Sequence, residues 1–523
     1  MTALDVTDLH VSTVDDTPVL RGVSYSIEPG EILALVGESG SGKTTAGLAA
    51  LGHFRTGLKA VSGSVLASSC GGAPSDVLAL PEKQRRALRG RVISYIPQDP
   101  ALSLNHSLRI GKQIAEVLEV HGYPGSVEDR VRETLTEVGL PSDTEYQRRY
   151  PHQLSGGQQQ RVGIAMAFAW KPSVVVLDEP TTGLDVTTQA LILETVAKLA
   201  AEQDTAALYI THDLAVVAQI AHRVAVMYSG EIVESGAARQ VLHEPQHSYT
   251  RALMAAVPGI EGPVGRSEAE EPDEDVVLRA ERIEVSYADT KVLRGVDLAV
   301  RRGESVLLLG ESGSGKTTLS RSLCGLIEKC TGTVTLDGNP LSASARKRSC
   351  EQLRDVQYVF QSPFSSLNPR RTIAESVEVP LRQLTDLDKD QRRKRVAEVL
   401  EQVRLDPEYA DRLPGGLSGG QRQRAAIARA LVTTPKVLVC DEVTSALDVS
   451  VQATILELLG ELRTELGMSI LFVTHNIALA RHVADRIAVL REGLIVEQGT
   501  VDRVLDAPEH EYTRELLANT PKL

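Results

Sequence analysis

ALVGESGSGKTT at residues 34–45 recurs as LLLGESGSGKTT at residues 307–318. Two further segments repeat in the same order: LSGGQQQR at 154–161 as LSGGQRQR at 417–424, and VVVLDEPTTGLDV at 174–186 as VLVCDEVTSALDV at 437–449. The units of solenoid proteins are about 20 to 50 residues long, and this repeat is several times longer. The sequence therefore predicts two similar domains in one chain.

The spacing of matching residues locates the boundary between the two domains. Lys43 and Lys316 lie 273 residues apart and Glu179 and Glu442 lie 263 apart, so the first half has ten extra residues between these positions. Between the halves, EGPVGRSEAEEPDED contains seven acids against one arginine, which is typical of a solvated linker. The predicted order is a first domain over 1–260, an acidic linker over 261–275 and a second domain over 276–523.

Composition argues against several classes of protein. At 523 residues the chain is longer than one hydrophobic core usually serves, which agrees with two domains. No uncharged apolar run approaches the roughly 18 residues of a spanning helix, and the acidic start MTALDVTDLH does not match an export signal. We therefore expect a cytosolic chain. A net charge of −13 argues against general binding to nucleic acid.

The cysteines give no sign of a disulfide framework or a zinc site. They are odd in number and no two have CxxC spacing. The five are Cys70, Cys324, Cys330, Cys350 and Cys440. We expect ordinary thiols.

Hydrophobic patterning indicates an α/β fold. Short β-branched runs such as EILALVG, SVVVLDE and AALYITH precede helical stretches, as in a sheet covered by helices. Between Gln98 and Ser155 the pattern becomes helical, with Val131, Leu135 and Val138 at i, i+4 and i+7. The second half repeats this spacing at Val396, Leu400 and Val403. A helical insertion therefore separates two motifs in each half.

GESGSGKT, at 37–44 and again at 310–317, matches the phosphate-loop pattern GxxxxGK[ST] between a strand and a helix. Glycines allow backbone N–H groups to surround phosphate oxygens, and the following helix N-terminus adds positive potential. Lys43 and Lys316 would neutralise the β and γ phosphates, and Thr44 and Thr317 would place a hydroxyl on Mg²⁺. The assigned nucleotide-binding residues are Gly37, Ser39, Gly40, Gly42, Lys43, Thr44 and Thr45, and Gly310, Ser312, Gly313, Gly315, Lys316, Thr317 and Thr318.

A pair of acids ends an apolar run in each half. Asp178 and Asp441 would hold Mg²⁺ through water, and Glu179 and Glu442 follow immediately as candidate general bases. A carboxylate beside the γ-phosphate can polarise the attacking water while lysine and Mg²⁺ stabilise the transferring group. An isolated run ending in DE is usually only a strand that meets solvent. The phosphate loop in the same half favours the catalytic interpretation.

LSGGQ together with these loops resembles the ATP-binding-cassette family over nearly the whole chain. The resemblance implies two tandem nucleotide-binding domains, each a RecA-like α/β core with an antiparallel β subdomain and a helical subdomain. It also implies that the signature serine and glycines of one half cover the nucleotide held by the other half. Ser418, Gly419 and Gly420 would cover ATP on Lys43, and Ser155, Gly156 and Gly157 would cover ATP on Lys316.

The same resemblance assigns further roles. It implies that Gln98 and Gln361 sense the γ-phosphate and join Thr44, Asp178, Thr317 and Asp441 around Mg²⁺. It also implies that His212 and His475 act in catalysis. Asp185 and Asp448 would be the D-loop aspartates. Tyr287 stands where the family stacks an aromatic ring on adenine, whereas Thr13 or Val14 occupies that region in the first half. Val443 stands where Pro180 follows the other glutamate. Because no charged group is lost, we predict two competent sites.

Four segments are similar to ATPases of peptide and nickel importers. They are QDPALSLNHS (98–107), QSPFSSLNPR (361–370), HSYTRALM (247–254) and HEYTRELL (510–517). This resemblance implies peptide import across a bacterial-type plasma membrane, with the chain held at the cytoplasmic face by two permease subunits that work with an extracytoplasmic binding protein. Dipeptides, oligopeptides, glutathione, nickel and metal chelates remain open as cargo. No cysteine follows Cys440, so we predict no iron–sulfur cluster.

Two other classes of function are consistent with tandem cassettes. A soluble ATPase acting on ribosomes or DNA would resemble proteins with a long, charged helical linker, whereas this linker is short and acidic. A regulatory binder without turnover is disfavoured by the intact Glu179 and Glu442.

Overall fold

A computed structural model describes residues 2–68, 73–99, 103–257, 275–288, 290–362, 366–444 and 447–520. These residues form two compact units, which divide between Val257 and Asp275, except that Asp185–Thr187 group with the second unit. The predicted linker at 261–275, apart from Asp275, and Cys70 lie outside the described residues. The cysteines within the described ranges, Cys324, Cys330, Cys350 and Cys440, are free thiols.

The first unit contains two sheets. Its strands are β1 (Leu4–Thr13), β2 (Pro18–Ile27), β3 (Ile32–Val36), β4 (Leu58–Ala67), β5 (Ser75–Asp76), β6 (Ile93–Ile96), β7 (Val174–Asp178), β8 (Ala206–Thr211), β9 (Arg223–Tyr228) and β10 (Glu231–Ala237). An antiparallel sheet has the order β2-β1-β4-β5. A second sheet has the order β10-β9-β3-β8-β7-β6, in which only the edge strand β10 is antiparallel.

Helices of the first unit cover the mainly parallel sheet and form the insertion. They are α1 (Lys43–Ala50), α2 (Glu82–Leu88), α3 (Ile110–Val120), α4 (Val127–Glu137), α5 (Thr144–Gln147), α6 (Gly156–Phe168), α7 (Val186–Glu202), α8 (Leu214–Ile220), α9 (Ala238–His243) and α10 (Ser248–Ala255), with a 3-10 turn at Pro151–Gln153. Every residue of β3, β7 and β8 is buried. Continuous apolar runs are expected where helices cover both faces of a parallel sheet.

The predicted helical insertion is confirmed in the first unit by α3, α4 and α5. Val131, Leu135 and Val138 are at most 2% exposed and pack in one apolar cluster with the signature helix α6. Arg130 is also buried, and its guanidinium pairs with Glu133 and Glu137 and donates to carbonyls at the end of α6. A buried cation needs such partners. The insertion is therefore fastened to α6 by both apolar and charged contacts.

The second unit repeats both sheets. Its strands are β11 (Val276–Tyr287), β12 (Thr290–Arg301), β13 (Ser305–Leu309), β14 (Cys330–Leu336), β15 (Asn339–Leu341), β16 (Val356–Val359), β17 (Val437–Asp441), β18 (Ser469–Thr474), β19 (Arg486–Arg491) and β20 (Leu494–Thr500). The orders are β12-β11-β14-β15 and β16-β17-β18-β13-β19-β20. Only β20 is antiparallel in the larger sheet.

The helices of the second unit follow the same plan. They are α11 (Lys316–Leu323), α12 (Cys350–Asp355), α13 (Ile373–Leu384), α14 (Lys389–Gln402), α15 (Gly419–Leu431), α16 (Val449–Leu466), α17 (Ala480–Val483), α18 (Val501–Asp506) and α19 (Glu511–Asn519), with 3-10 turns at Ala345–Lys347, Pro407–Asp411, Pro414–Gly416 and Ile477–Leu479. Val396, Leu400 and Val403 are buried as their spacing predicted. Across the described ranges, no helix combines the length and the apolar character needed to cross a membrane.

Candidate active site

Strand order brings the sequence motifs to one edge of each main sheet. In the first unit the phosphate loop follows β3, Asp178 ends β7, His212 follows β8 and Gln98 lies just after β6. These four strands are parallel neighbours, so their carboxyl ends meet at the same edge. Open α/β sheets place ligand sites at that edge. The second unit uses the equivalent strands β13, β17, β18 and β16.

Both phosphate loops require their first glycine for steric reasons. Gly37 has a φ of +149°, and a Cβ there would lie 2.2 Å from the carbonyl oxygen of Met227. Gly310 has a φ of +157°, and its Cβ would lie 2.2 Å from the carbonyl oxygen of Leu490. No side chain fits at that distance. The remaining assigned loop residues lie in the turn into α1 or α11. Gly42 and Gly315 are the N-caps of these helices, and Thr45 and Thr318 lie in the first helical turn. The exposed members are Ser39, Gly40, Ser312 and Gly313.

The loop lysines are buried and held by their own loops. Nζ of Lys43 donates to the carbonyls of Gly37 at 2.7 Å and Glu38 at 2.8 Å. Nζ of Lys316 donates to the carbonyls of Gly310 and Glu311, both at 2.7 Å. Burial lowers the pKa of Lys316, while the nearby Glu442 and Asp441 carboxylates favour its charged form. Each loop therefore presents one cation at the edge of the sheet.

Each aspartate is held between a threonine and a tyrosine. Oγ1 of Thr44 donates to Oδ1 of Asp178 at 3.1 Å, and the hydroxyl of Tyr95 donates to Oδ2 at 2.9 Å. Thr317 donates to Asp441 at 3.3 Å, and the Tyr358 hydroxyl donates to its other oxygen. Burial raises the pKa of both aspartates above its ordinary value, although these hydrogen bonds partly oppose the rise.

Sequence reasoning missed the two tyrosines. A signal was present, because Tyr95 and Tyr358 each stand three residues before the motif glutamine. A tyrosine repeated at the same place near the end of a short strand in both halves indicates a hydroxyl with a partner.

The candidate base of the first unit has two further partners. Nε2 of Gln98 donates to Oε2 of Glu179 at 2.8 Å, and Nδ1 of His212 lies 3.0 Å from Oε1. Burial would raise the pKa of Glu179, but the hydrogen bond from His212 and the charges of His212 and Lys43 lower it below its ordinary value. The carboxylate is therefore kept ionised, as a general base must be.

The second unit builds the same arrangement. Nε2 of Gln361 lies 2.6 Å from Oε2 of Glu442, and Nδ1 of His475 lies 3.2 Å from Oε1. The pKa of Glu442 is likewise lowered, with burial opposed by His475 and Lys316. Val443, in place of proline, does not disturb these contacts. The predicted glutamine, glutamate and histidine therefore meet in both units.

The two glutamates adopt a backbone conformation that is uncommon for their residue type. Glu179 has a φ of +49° and Glu442 a φ of +47°. Their N–H groups continue the strand ladder to the carbonyls of Ile210 and Val473, both at 2.9 Å. Such strain costs about 1–3 kcal/mol and persists where surrounding structure imposes it, often at active sites. In each unit the glutamate carboxylate lies near enough to interact electrostatically with the lysine of its own phosphate loop.

The signature residues form helix caps. The side chain of Ser155 accepts the N–H of Gln158 at 3.3 Å, and Gln158 accepts the N–H of Ser155 at 3.0 Å. Ser418 and Gln421 form the same capping box at 3.3 and 2.8 Å. A Cβ on Gly157 would lie 2.4 Å from Thr188, and one on Gly420 would lie 2.6 Å from Val451. These N-termini are therefore preorganised, and Gly156 and Gly419 follow each serine with little crowding.

The remaining predicted residues lie at loop or strand ends. Tyr287 ends β11 and is 52% exposed, so its ring is available to a ligand, and Val14 in the first unit is 66% exposed. Asp185 directly precedes α7, and Asp448 is the N-cap of α16. The cross-unit placement expected of the signature and D-loop residues stays a prediction.

Two family matches cover most of the chain. The ABC transporter family matches residues 20–182 and 293–445. The oligopeptide/dipeptide transporter C-terminal region matches residues 233–278 and 496–523, which include both tail segments.

Similar proteins include glutathione import ATP-binding proteins. The one from Escherichia coli strain K12 is 39% identical over 560 aligned residues, covering 99% of this chain and 89% of the relative. The one from Salmonella typhimurium is 40% identical over 538 residues, covering 96% and 86%. A solved cassette from Clostridium perfringens, part of an ABC transporter complex, is 32% identical over 45% of this chain and 92% of its own, with a TM-score of 0.41.

Proposed function

The chain belongs to the ABC transporter family, and from that premise we propose that it hydrolyses ATP at two sites to energise the import of small peptides. One site is centred on Lys43 and Glu179 and the other on Lys316 and Glu442. The observation that carries the proposal is the hydrogen-bonded Gln98, Glu179 and His212, which recurs as Gln361, Glu442 and His475.

Hydrolysis follows from the groups that meet at each sheet edge. The lysine supplies positive charge to the β and γ phosphates, and the loop N–H groups with the helix N-terminus surround them. The ionised glutamate, oriented by the glutamine on one oxygen and the histidine on the other, accepts a proton from the attacking water. Burial of the site strengthens each of these electrostatic interactions.

The residues present fit Mg²⁺. Thr44 and Asp178 place a hydroxyl and a carboxylate 3.1 Å apart, and Thr317 and Asp441 do the same at 3.3 Å. Mg²⁺ takes one or two protein oxygens and completes its shell with water and substrate phosphates. Bound with ATP, the ion would offset negative charge on the phosphates, and Gln98 and Gln361 would reach it through water.

Each site is completed by the signature of the other half. Ser418, Gly419 and Gly420 cover the nucleotide on Lys43, and Ser155, Gly156 and Gly157 cover the nucleotide on Lys316. The capping boxes support this role because they order helix N-termini whose serines are exposed, and helix N-termini favour phosphate. Tyr287 stacks on adenine at the Lys316 site. ATP binding then draws the halves together, and hydrolysis lets them separate.

The import assignment rests on the tail regions and the relatives. Both tails match the oligopeptide/dipeptide transporter region, and the similar proteins import glutathione, itself a small peptide. The cargo is therefore a short peptide of that class. Two permease subunits and an extracytoplasmic binding protein select this cargo. The chain associates with the cytoplasmic face of the membrane by contacting the permeases through the regions around Gln98 and Gln361.

Co-purification from native membranes tests the function. The tagged full chain should bring down two multi-spanning subunits, and a peptide-loaded binding protein should raise ATP turnover of the complex severalfold. E179Q/E442Q is the matched control, which should co-purify but not turn over. Recovery of ribosomes or DNA without permeases would contradict the import assignment and support a soluble tandem ATPase.

A further inference from the structure

Both tail motifs contact the phosphate loop of their own unit. In the first unit the backbone N–H of Glu38 donates to the hydroxyl of Tyr249 at 3.2 Å. In the second unit the N–H of Glu311 donates to the hydroxyl of Tyr512 at 3.0 Å. The two tyrosines occupy the same place in HSYTRALM and HEYTRELL. The same contact is therefore built twice, between segments about 200 residues apart.

The peptide group that makes this contact also binds the loop lysine. The carbonyl of Gly37 accepts Nζ of Lys43 at 2.7 Å, and the N–H of that same peptide group, on Glu38, donates to Tyr249. Gly310, Lys316 and Tyr512 repeat the arrangement. One peptide plane is thus held from both sides. Its orientation sets the direction in which the following loop N–H groups point.

The tail helix is anchored next to this contact. The carboxylate of Glu234 on β10 accepts the N–H groups of Gln246 at 2.8 Å and His247 at 3.0 Å, just before α10. Nδ1 of His247 accepts the N–H of Tyr249 at 3.2 Å and caps the helix. In the second unit Glu497 accepts two backbone N–H groups at 2.8 and 3.1 Å, and His510 caps α19 at 3.1 Å.

The rings are held by different neighbours in the two units. The ring of Tyr249 packs on that of Tyr228 with centroids 4.4 Å apart, whereas the guanidinium of Arg491 lies 4.6 Å from the ring centre of Tyr512. The surroundings differ, but the hydroxyl meets the same loop N–H in both. The hydroxyl contact is therefore the shared feature, and aromatic packing alone does not explain it.

We propose that Tyr249 and Tyr512 are positioning residues that hold the phosphate loops in the geometry that accepts nucleotide. This inference rests on the proposed ATP sites at Lys43 and Lys316. Replacement by phenylalanine keeps the ring packing and removes the acceptor of a backbone N–H, which leaves a poorly solvated polar group. The loop then loses its orientation, so ATP binds more weakly while the glutamate and its partners remain in place.

Hydrogen exchange of the full chain without nucleotide tests the contact itself. Y249F should speed exchange of one amide in peptides covering 34–45 by about fivefold, since a lost hydrogen bond is worth about 1 kcal/mol. Peptides covering 307–318, which differ in their flanking residues, should be unchanged. Y512F should give the reverse. Y146F, which removes a buried hydroxyl in the helical insertion, is the matched control and should alter neither loop.

ATP binding and turnover supply the second readout. In Y249F/Y512F the Kd and KM for ATP should rise about fivefold, while kcat changes less than about twofold. Unchanged loop exchange together with unchanged ATP affinity would overturn the inference. So would a uniform rise in exchange across the unit with a lower Tm, which would indicate a purely structural role. If the wild-type chain bound no ATP, the proposed function would fail instead, and the exchange result would still decide the contact.

Discussion

Nδ1 of His212 lies 3.0 Å from Oε1 of Glu179, and the second unit repeats the relationship between His475 and Glu442 at 3.2 Å. The histidine and glutamate come from neighbouring parallel strands, β8 and β7, so the sheet itself sets their separation. The histidine helps to keep the carboxylate ionised and fixes its direction. This contact supports the proposed role of the histidine as an orienting partner of the base.

Removing the histidine should slow chemistry without abolishing binding. In H212A/H475A the glutamates lose the hydrogen bond that lowers their pKa. We expect kcat to fall at least about tenfold and the Kd for ATP to change little. Steady-state ATPase assays and nucleotide titration measure both. H53A changes an exposed histidine and should leave both values unaltered, whereas equal turnover in H212A/H475A and wild type would contradict the role.

Adding one methyl group at Gly37 should disable the first phosphate loop. The new Cβ would lie 2.2 Å from the backbone carbonyl of Met227, so loop or strand must move. We expect G37A to lose ATP binding at the Lys43 site. G122A is the matched control, since Gly122 has a φ of +66° but open space around its Cβ. It should cost about 1–2 kcal/mol of stability and leave ATP binding intact. Normal binding by G37A would refute the loop geometry.

The tyrosines on the aspartates should affect the Mg²⁺ requirement. Loss of the hydroxyl in Y95F/Y358F removes a hydrogen bond that favours the ionised aspartate, whose pKa burial already raises. A carboxylate that has lost one of its two orienting hydrogen bonds should bind Mg²⁺ more weakly. We expect the half-saturating Mg²⁺ concentration for ATPase activity to rise about threefold to tenfold. Mn²⁺ binding, followed spectroscopically, provides an independent check, and unchanged metal affinity would exclude the effect.

Tail docking should weaken in acid. Burial raises the pKa of Glu234 and Glu497, but hydrogen bonds from backbone N–H groups oppose it, and the pKa of both lies below the ordinary 4.5. A lowered folded pKa means that the stabilisation is fully present above pH 4.5 and is lost as pH falls through the folded value. The Tm advantage of wild type over E234Q/E497Q should therefore shrink below that pH. E231Q, on the exposed side of β10, controls for charge. A constant Tm difference would contradict the carboxylate role.

The motif residues and the strands that carry them could be predicted from sequence. Apolar runs followed by Gly37, Asp178 and His212 indicate strand ends, and parallel strands bring their ends to one edge. Local periodicity was sufficient for the helical insertion as well, where Val131 and Leu135 are buried as expected. These features depend on residues close together in the chain.

Contacts between distant segments that lie outside the recognised motifs could not be predicted. Tyr95 reaches Asp178 across 83 residues and Tyr249 reaches Glu38 across 211, and no spacing rule links such pairs. The positive φ of Glu179 is also invisible in sequence, because glutamate does not favour it and it accompanies a backbone hydrogen bond to Ile210 that forms only in the folded chain. Strand order and backbone strain emerge only in the folded chain.

Single-turnover hydrolysis by purified wild type and E179Q/E442Q tests the central claim most directly. The amide keeps the shape of the carboxylate but cannot accept a proton from water. We expect the rate of hydrolysis to fall at least about 100-fold while ATP still binds with affinity close to that of wild type. Hydrolysis at a rate within about twofold of wild type would show that Glu179 and Glu442 are not the bases and would contradict the account.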